Sequence, residues 1–202
     1  MAFNSILPLI MTFMVNTFSL TSPNQDFSTM GLKIMQNGKE FAIESAEQNI
    51  ILAKNKFEVI FNLKRDDDIA QRYHAARIIA DIDPDIFNQF EAEKKFEEIP
   101  SLAAGTSMAG PKDSPYNCIF FDDQAHHYIF YSNEEEKRAN LIAKENEVLK
   151  LSFDIENYCM QDFEINIKNS NFEEIYMVFL IDKNLNEIVE DGEFVKLKIT
   201  FE

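Results

Sequence analysis

Three groups of residues in this chain have types and spacings suited to chemistry. Ser107 stands in Gly105-Thr106-Ser107-Met108-Ala109-Gly110-Pro111 and is a candidate nucleophile. Asp122-Asp123 followed by His126-His127 offers oxygen and nitrogen ligands for a metal within six residues. Asp81, Asp83 and Asp85 have the alternate spacing with which a calcium loop begins. Two of the three fail on local geometry. Adjacent histidines on a strand point to opposite faces, so His126 and His127 cannot easily serve one ion. A calcium loop needs Gly at its sixth position and a bidentate carboxylate at its twelfth, where this chain has Ile86 and Ala92. Asp83 before Pro84 is better explained as a helix cap.

The Gly105–Pro111 segment resembles the G-T-S-x-A-x-P stretch around the nucleophilic serine of subtilisin-like proteases. The resemblance covers seven residues of 202. It implies an Asp segment and a His-Gly-Thr segment upstream, because serine is a poor nucleophile without a positioned imidazole and its carboxylate. The one upstream histidine is His74, in Arg72-Tyr73-His74-Ala75, and no His-Gly-Thr occurs. Lys112-Asp113-Ser114-Pro115 follows where that family has a long helix. The expectation is a chain that is not an enzyme, with no catalytic residue, no cofactor and no metal. A hydrolase with a site assembled from scattered carboxylates ranks third.

The charge narrows the partners. With 35 Asp and Glu against 19 Lys and Arg, the formal charge is -16. Nucleic-acid binding requires cations that neutralise phosphates, so it is excluded as an expectation. A protein partner, and a basic one, suits this balance. The stretch from Leu102 to Pro115 is mostly small, polar or turn-forming and can approach another surface closely. Leu102, Gly105, Thr106, Ser107, Met108, Lys112 and Asp113 are therefore candidate partner-binding residues, together with the acidic run Glu134-Glu135-Glu136.

The elements that must position these residues are legible as changes of period. Residues 1–25 carry no charge, and Ile6 to Leu20 is an apolar run of 15 residues. That length fits a signal-peptide core better than a membrane span of about 20 residues. The leader is expected to be a removed export signal, leaving no stable membrane span, or a retained docking arm. Removal implies a periplasmic or secreted protein. Residues 26–202 are expected to form a single domain. Cys118 and Cys159 have no metal-ligand spacing, and they are either one bridge or two small core residues.

Leu32 and Ile34, then Phe41 and Ile43, flank a turn at Gln36-Asn37-Gly38-Lys39 and predict a hairpin. Phe57, Val59, Phe61 and Leu63 continue the alternation. From Asp66 the spacing of Ile69, Tyr73, Ala76 and Ala80 predicts a helix, and Asp83-Pro84 starts a second that ends at Pro100. Leu149, Leu151, Phe153 and Ile155 alternate strictly, as do Val195, Leu197, Ile199 and Phe201. Tyr176 to Ile181 is apolar on both faces and predicts a central strand, with Asp182 to Asn186 a turn. The predicted class is α+β, an antiparallel sheet or sandwich of about seven to nine strands with two helices inserted between the early and late strands.

By elimination, the expected function is that of a non-enzymatic protein-binding module, such as an inhibitor or immunity-type protein acting outside the cytosol. The alternative is a structural component of a virion or secretion apparatus that keeps its N-terminus.

Overall fold

The computed structural model describes residues 30–66, 72–73, 76–103, 106–109, 119–122, 129–131, 139–160 and 163–202. The leader, His74, Asp123, His126, His127 and Cys118 lie outside the described residues.

The chain begins with the hairpin β1 (Lys33–Gln36) and β2 (Lys39–Ala42). Asn37 and Gly38 both have positive φ, 51° and 76°, and Gln36 pairs with Lys39. This is the two-residue turn whose twist matches the flanking strands. Next come β3 (Glu47–Leu52), β4 (Phe57–Asp66), β5 (Arg72–Tyr73) and β6 (Ala76–Asp81). Two short helices, α1 (Ile86–Gln89) and α2 (Pro100–Ala103), bracket a single 3-10 turn at Phe96–Glu98. Strands then follow as β7 (Thr106–Ala109), β8 (Ile119–Asp122), β9 (Ile129–Tyr131), β10 (Asn140–Glu145), β11 (Val148–Ile155), β12 (Asn157–Met160), β13 (Phe163–Asn166), β14 (Glu174–Ile181) and β15 (Phe194–Phe201).

These strands form two large sheets and one small one. The first has the order β10-β11-β4-β1-β2, with β5 also on β4, and the second has the order β3-β15-β14-β6-β8-β7. The small sheet is β13-β12-β9. Most pairings are antiparallel, while β15 with β3 and β6 with β8 are parallel. The α+β class with short helices between early and late strands is as the sequence predicts.

The alternating residues explain how the two large sheets pack. Phe61 of β4 meets Phe179 of β14 with ring centroids 5.0 Å apart, and Phe57 meets Phe201 at 6.4 Å. Val59, Leu63, Leu149, Leu151, Phe153 and Ile155 from the first sheet join Met177, Val195, Leu197 and Ile199 from the second in one buried cluster. The second sheet is also covered on its other face. Ile79, Val178 and Leu180 pack there against Ile86, Phe90, Phe96, Ile99, Leu102 and Val189. A strand covered on both faces must be apolar at every position, which accounts for the unbroken run Tyr176–Ile181 at the centre of that sheet.

The helix expected from Asp66 is corrected. Ala76–Asp81 is β6, paired antiparallel with Tyr176–Ile181. Residues four apart, such as Ala76 and Ala80, satisfy both a helical period and a strand period, and Ala76 and Ala80 indeed share the inter-sheet face. The neighbouring β14 decides between the two. The second helix is broken into α1, the 3-10 turn and α2, and Pro100 opens α2 instead of ending a helix. Thr106–Ala109, expected as part of a loop, is a strand.

One buried polar side chain ties the first hairpin to the β3–β4 turn. Gln36 is buried, and its amide nitrogen donates to the carbonyls of Ala53 at 2.9 Å, Asn55 at 3.2 Å and Lys56 at 3.2 Å. Its amide oxygen accepts from Ala53 N at 2.8 Å. Gln36→Leu removes all four bonds. Because Ala53, Asn55 and Lys56 are exposed and water can replace part of the loss, a cost of about 1–3 kcal/mol is expected in urea unfolding.

Candidate functional site

Among the residues singled out from the sequence, Thr106, Ser107 and Met108 come together on β7. This strand is the last in its sheet, and it pairs with β8 in the register Thr106↔Asp122, Ser107↔Phe121, Met108↔Phe120 and Ala109↔Ile119. Its other side pairs with no strand among the described residues. Leu102 is 9% exposed and belongs to the second core cluster, so it anchors the segment from within. Gly105, Lys112, Asp113, Glu134, Glu135 and Glu136 lie outside the described residues.

The sheet edges differ in how they are guarded. Proteins protect edges with charges, bulges and covering elements, because an open row of backbone N–H and C=O groups is a template for another strand. The edge strand β2 carries Lys39 and Glu40, with Glu40 held by Lys33 at 2.6 Å. At the opposite edge of that sheet, β10 carries Lys144 and Glu145 and a register shift between Leu141 and Ala143 that leaves Ile142 unpaired. In the other sheets β3 carries Glu47 and β13 carries Glu164. The uncharged β9 lies against β6 and β11. In β7 the residues are Thr-Ser-Met-Ala, with no charge, proline or glycine. It is the least guarded edge among the described residues.

A second feature stands at the far end of β14. The connection from β14 to β15 is a loop from Asp182 to Glu193, held by its own side chains. Asp182 is 6% exposed and accepts from the backbone N–H groups of Asn186 at 3.2 Å and Glu187 at 3.0 Å. Asn184 Oδ1 accepts from Asn186 N, and Asn186 Oδ1 accepts from Ile188 N at 2.8 Å. The amide groups of Asn184 and Asn186 both donate to Glu190, at 2.9 and 3.1 Å. Glu193 is 3% exposed; its Oε1 accepts from Lys183 N at 2.8 Å, whereas Oε2 is buried without a hydrogen-bond partner. Burial pushes its carboxyl up to about 7, and the charges of Asp182 and Glu190 add to the rise. On the sequence, only the first half of this loop reads as a turn. The recurrence of carboxylate and carboxamide at 182, 184, 186, 190 and 193 was the available signal.

The loop is attached to the helical layer. Val189 N donates to Lys94 O, and Glu93 N and Phe96 N donate to Val189 O and Glu187 O. Arg77 on β6 is partly buried, with its guanidinium 4.8 Å from the Phe96 ring. Burial lowers its pKa, while the charges of Asp182 and Glu187 oppose that shift.

An open cleft of about 340 Å³ lies between Gly31, Lys33, Glu40, Asn62 and Lys150. Gly31 has φ +54°, and a Cβ there would collide with the Asn62 side-chain amide. Lys33 and Glu40 neutralise each other across the cleft.

Among the described residues no three His, Cys, Asp or Glu side chains already converge as a metal set. No helix among them is long and apolar enough to cross a membrane. No protein-family model, curated protein or solved structure matches the chain.

Proposed function

We propose that the chain is a non-enzymatic protein-binding module that acts by covering a partner's surface, as an inhibitor or immunity-type protein outside the cytosol does. The observation that carries this reading is the position of Thr106–Ala109 as an uncharged strand at the end of its sheet among the described residues. Such an edge can accept an extended segment of another protein, main-chain hydrogen bonds supplying affinity and alternate side chains supplying specificity. The net charge of -16 favours a basic partner and speeds its encounter. Glu134, Glu135 and Glu136 lie within a few residues of β9 in the chain and contribute to that field.

The test separates the two sides of β7. Successive N–H groups of a strand point in opposite directions, so of Ser107→Pro and Met108→Pro one breaks the pairing with β8 and the other blocks only the open edge. The expected outcome is one variant with lowered melting temperature and one that melts as the parent does but binds its stoichiometric partner at least tenfold more weakly. Reversing Glu134, Glu135 and Glu136 to Lys should slow association and flatten its salt dependence. A well-folded edge variant with undiminished partner affinity contradicts the proposal.

A further inference from the structure

We propose that the Asp182–Glu193 loop is a binding site for a hard divalent cation, calcium in preference to magnesium. The first observation is the order of ligand types. Counting Asp182 as position one, oxygen-bearing side chains fall at three (Asn184), five (Asn186), nine (Glu190) and twelve (Glu193), with the Ile188 carbonyl at seven. This is the twelve-residue spacing that wraps a chain around Ca²⁺. The glycine usual at position six is replaced by Glu187, yet Glu187 has φ 58°, the left-handed backbone that the sharp turn needs. What the glycine supplies in conformation is therefore present.

The second observation is independent of the spacing. Glu193 Oε2 is buried with no hydrogen-bond partner, in a side chain 3% exposed. A buried carboxylate oxygen without a partner is costly unless a cation joins it. Lys183 Nζ donates to Gly192 O at 2.8 Å.

Asp182 accepts from the backbone N–H groups of Asn186 and Glu187, and the side-chain amide nitrogens of Asn184 and Asn186 donate to Glu190. Binding rotates the two amides so that their oxygens face the ion, and draws Glu190 and Glu193 inward. An all-oxygen set of six or seven ligands with flexible geometry suits calcium; magnesium demands a tighter octahedron and keeps its water. Because Val189 and Glu187 are bonded to residues 93–96, the ion would also fasten the β14–β15 connection to the helical layer.

The experiment is calorimetric titration of the full chain, stripped with chelator, with calcium chloride alone, paired with thermal melts. The expected result is one ion per chain, a melting temperature that rises with calcium, and at least tenfold weaker binding of magnesium. Glu193→Gln keeps the acceptor for Lys183 N and should lower calcium affinity at least tenfold; Asn186→Ala and Glu190→Gln serve as second variants should Glu193→Gln not fold. No heat and no melting shift up to about 10⁻³ M calcium, the weak end for extracellular modules, overturns the proposal. So does binding that all folded loop variants leave unchanged.

Discussion

Phe179→Ala is expected to destabilise the protein by about 3–5 kcal/mol, the range for deleting a fully buried phenylalanine from a close-packed core. Phe179 is 0% exposed on the central strand of the second sheet, and its ring lies 5.0 Å from that of Phe61 across the sandwich. The neighbours that would have to collapse into the cavity are themselves strand residues fixed by their ladders, such as Phe61 on β4 and Val195, the register partner of Phe179 on β15. Relaxation is therefore limited. Domains of this size are stable by only about 5–15 kcal/mol, so the variant should have lost much of its margin. Urea unfolding measures this, and a loss below about 1 kcal/mol would mean that the two sheets do not meet at these rings. A double variant with Phe61→Ala should lose less than the sum of the single losses, because the two share one contact.

Val178→Asp is expected to have an effect at least as large, from the other face of the same strand. Val178 is 0% exposed in the cluster with Ile86, Phe90, Ile99 and Leu180. A carboxylate there would be buried without a partner and would dislodge the helical layer or unfold the chain, a cost above about 4 kcal/mol. Lys196 is the register partner of Val178 on β15 and lies partly exposed, so Lys196→Ala should stay within about 1 kcal/mol and serves as the control. Circular dichroism with urea titration distinguishes them. Equal, small effects at both positions would show that the 83–103 segment does not cover this face.

The two faces of β14 also show what the sequence can and cannot convey. Strict alternation at Leu149–Ile155 and Val195–Phe201 predicted β11 and β15, because one face of each meets the core and the other faces polar surroundings. The unbroken Tyr176–Ile181 run predicted a strand covered on both sides for the same physical reason. The misreading at Ala76–Asp81 arose where spacing fits two periods and only the pairing with β14 chooses. Tertiary context overrode local propensity there.

The candidate site was legible only in part. The mostly small or polar stretch that holds Thr106–Ala109 could be picked out from composition, but being an edge is a property of sheet order, which long-range pairings of β8, β6 and β14 establish. Leu102, grouped with them on the sequence, turns inward because α2 packs beside the 3-10 turn. The Asp182–Glu193 loop was hidden because Asp and Asn also make ordinary turns. Its distinguishing feature, a buried glutamate oxygen without a partner, exists only once β14 and β15 are side by side.

The most direct test of the proposal that β7 receives a partner strand is amide hydrogen exchange of the chain alone and in its stoichiometric complex. Slowed exchange at Thr106–Ala109 on complex formation, with little change at the guarded edges β2 and β10, is the predicted result. Unchanged exchange at Thr106–Ala109, with protection elsewhere, would contradict it.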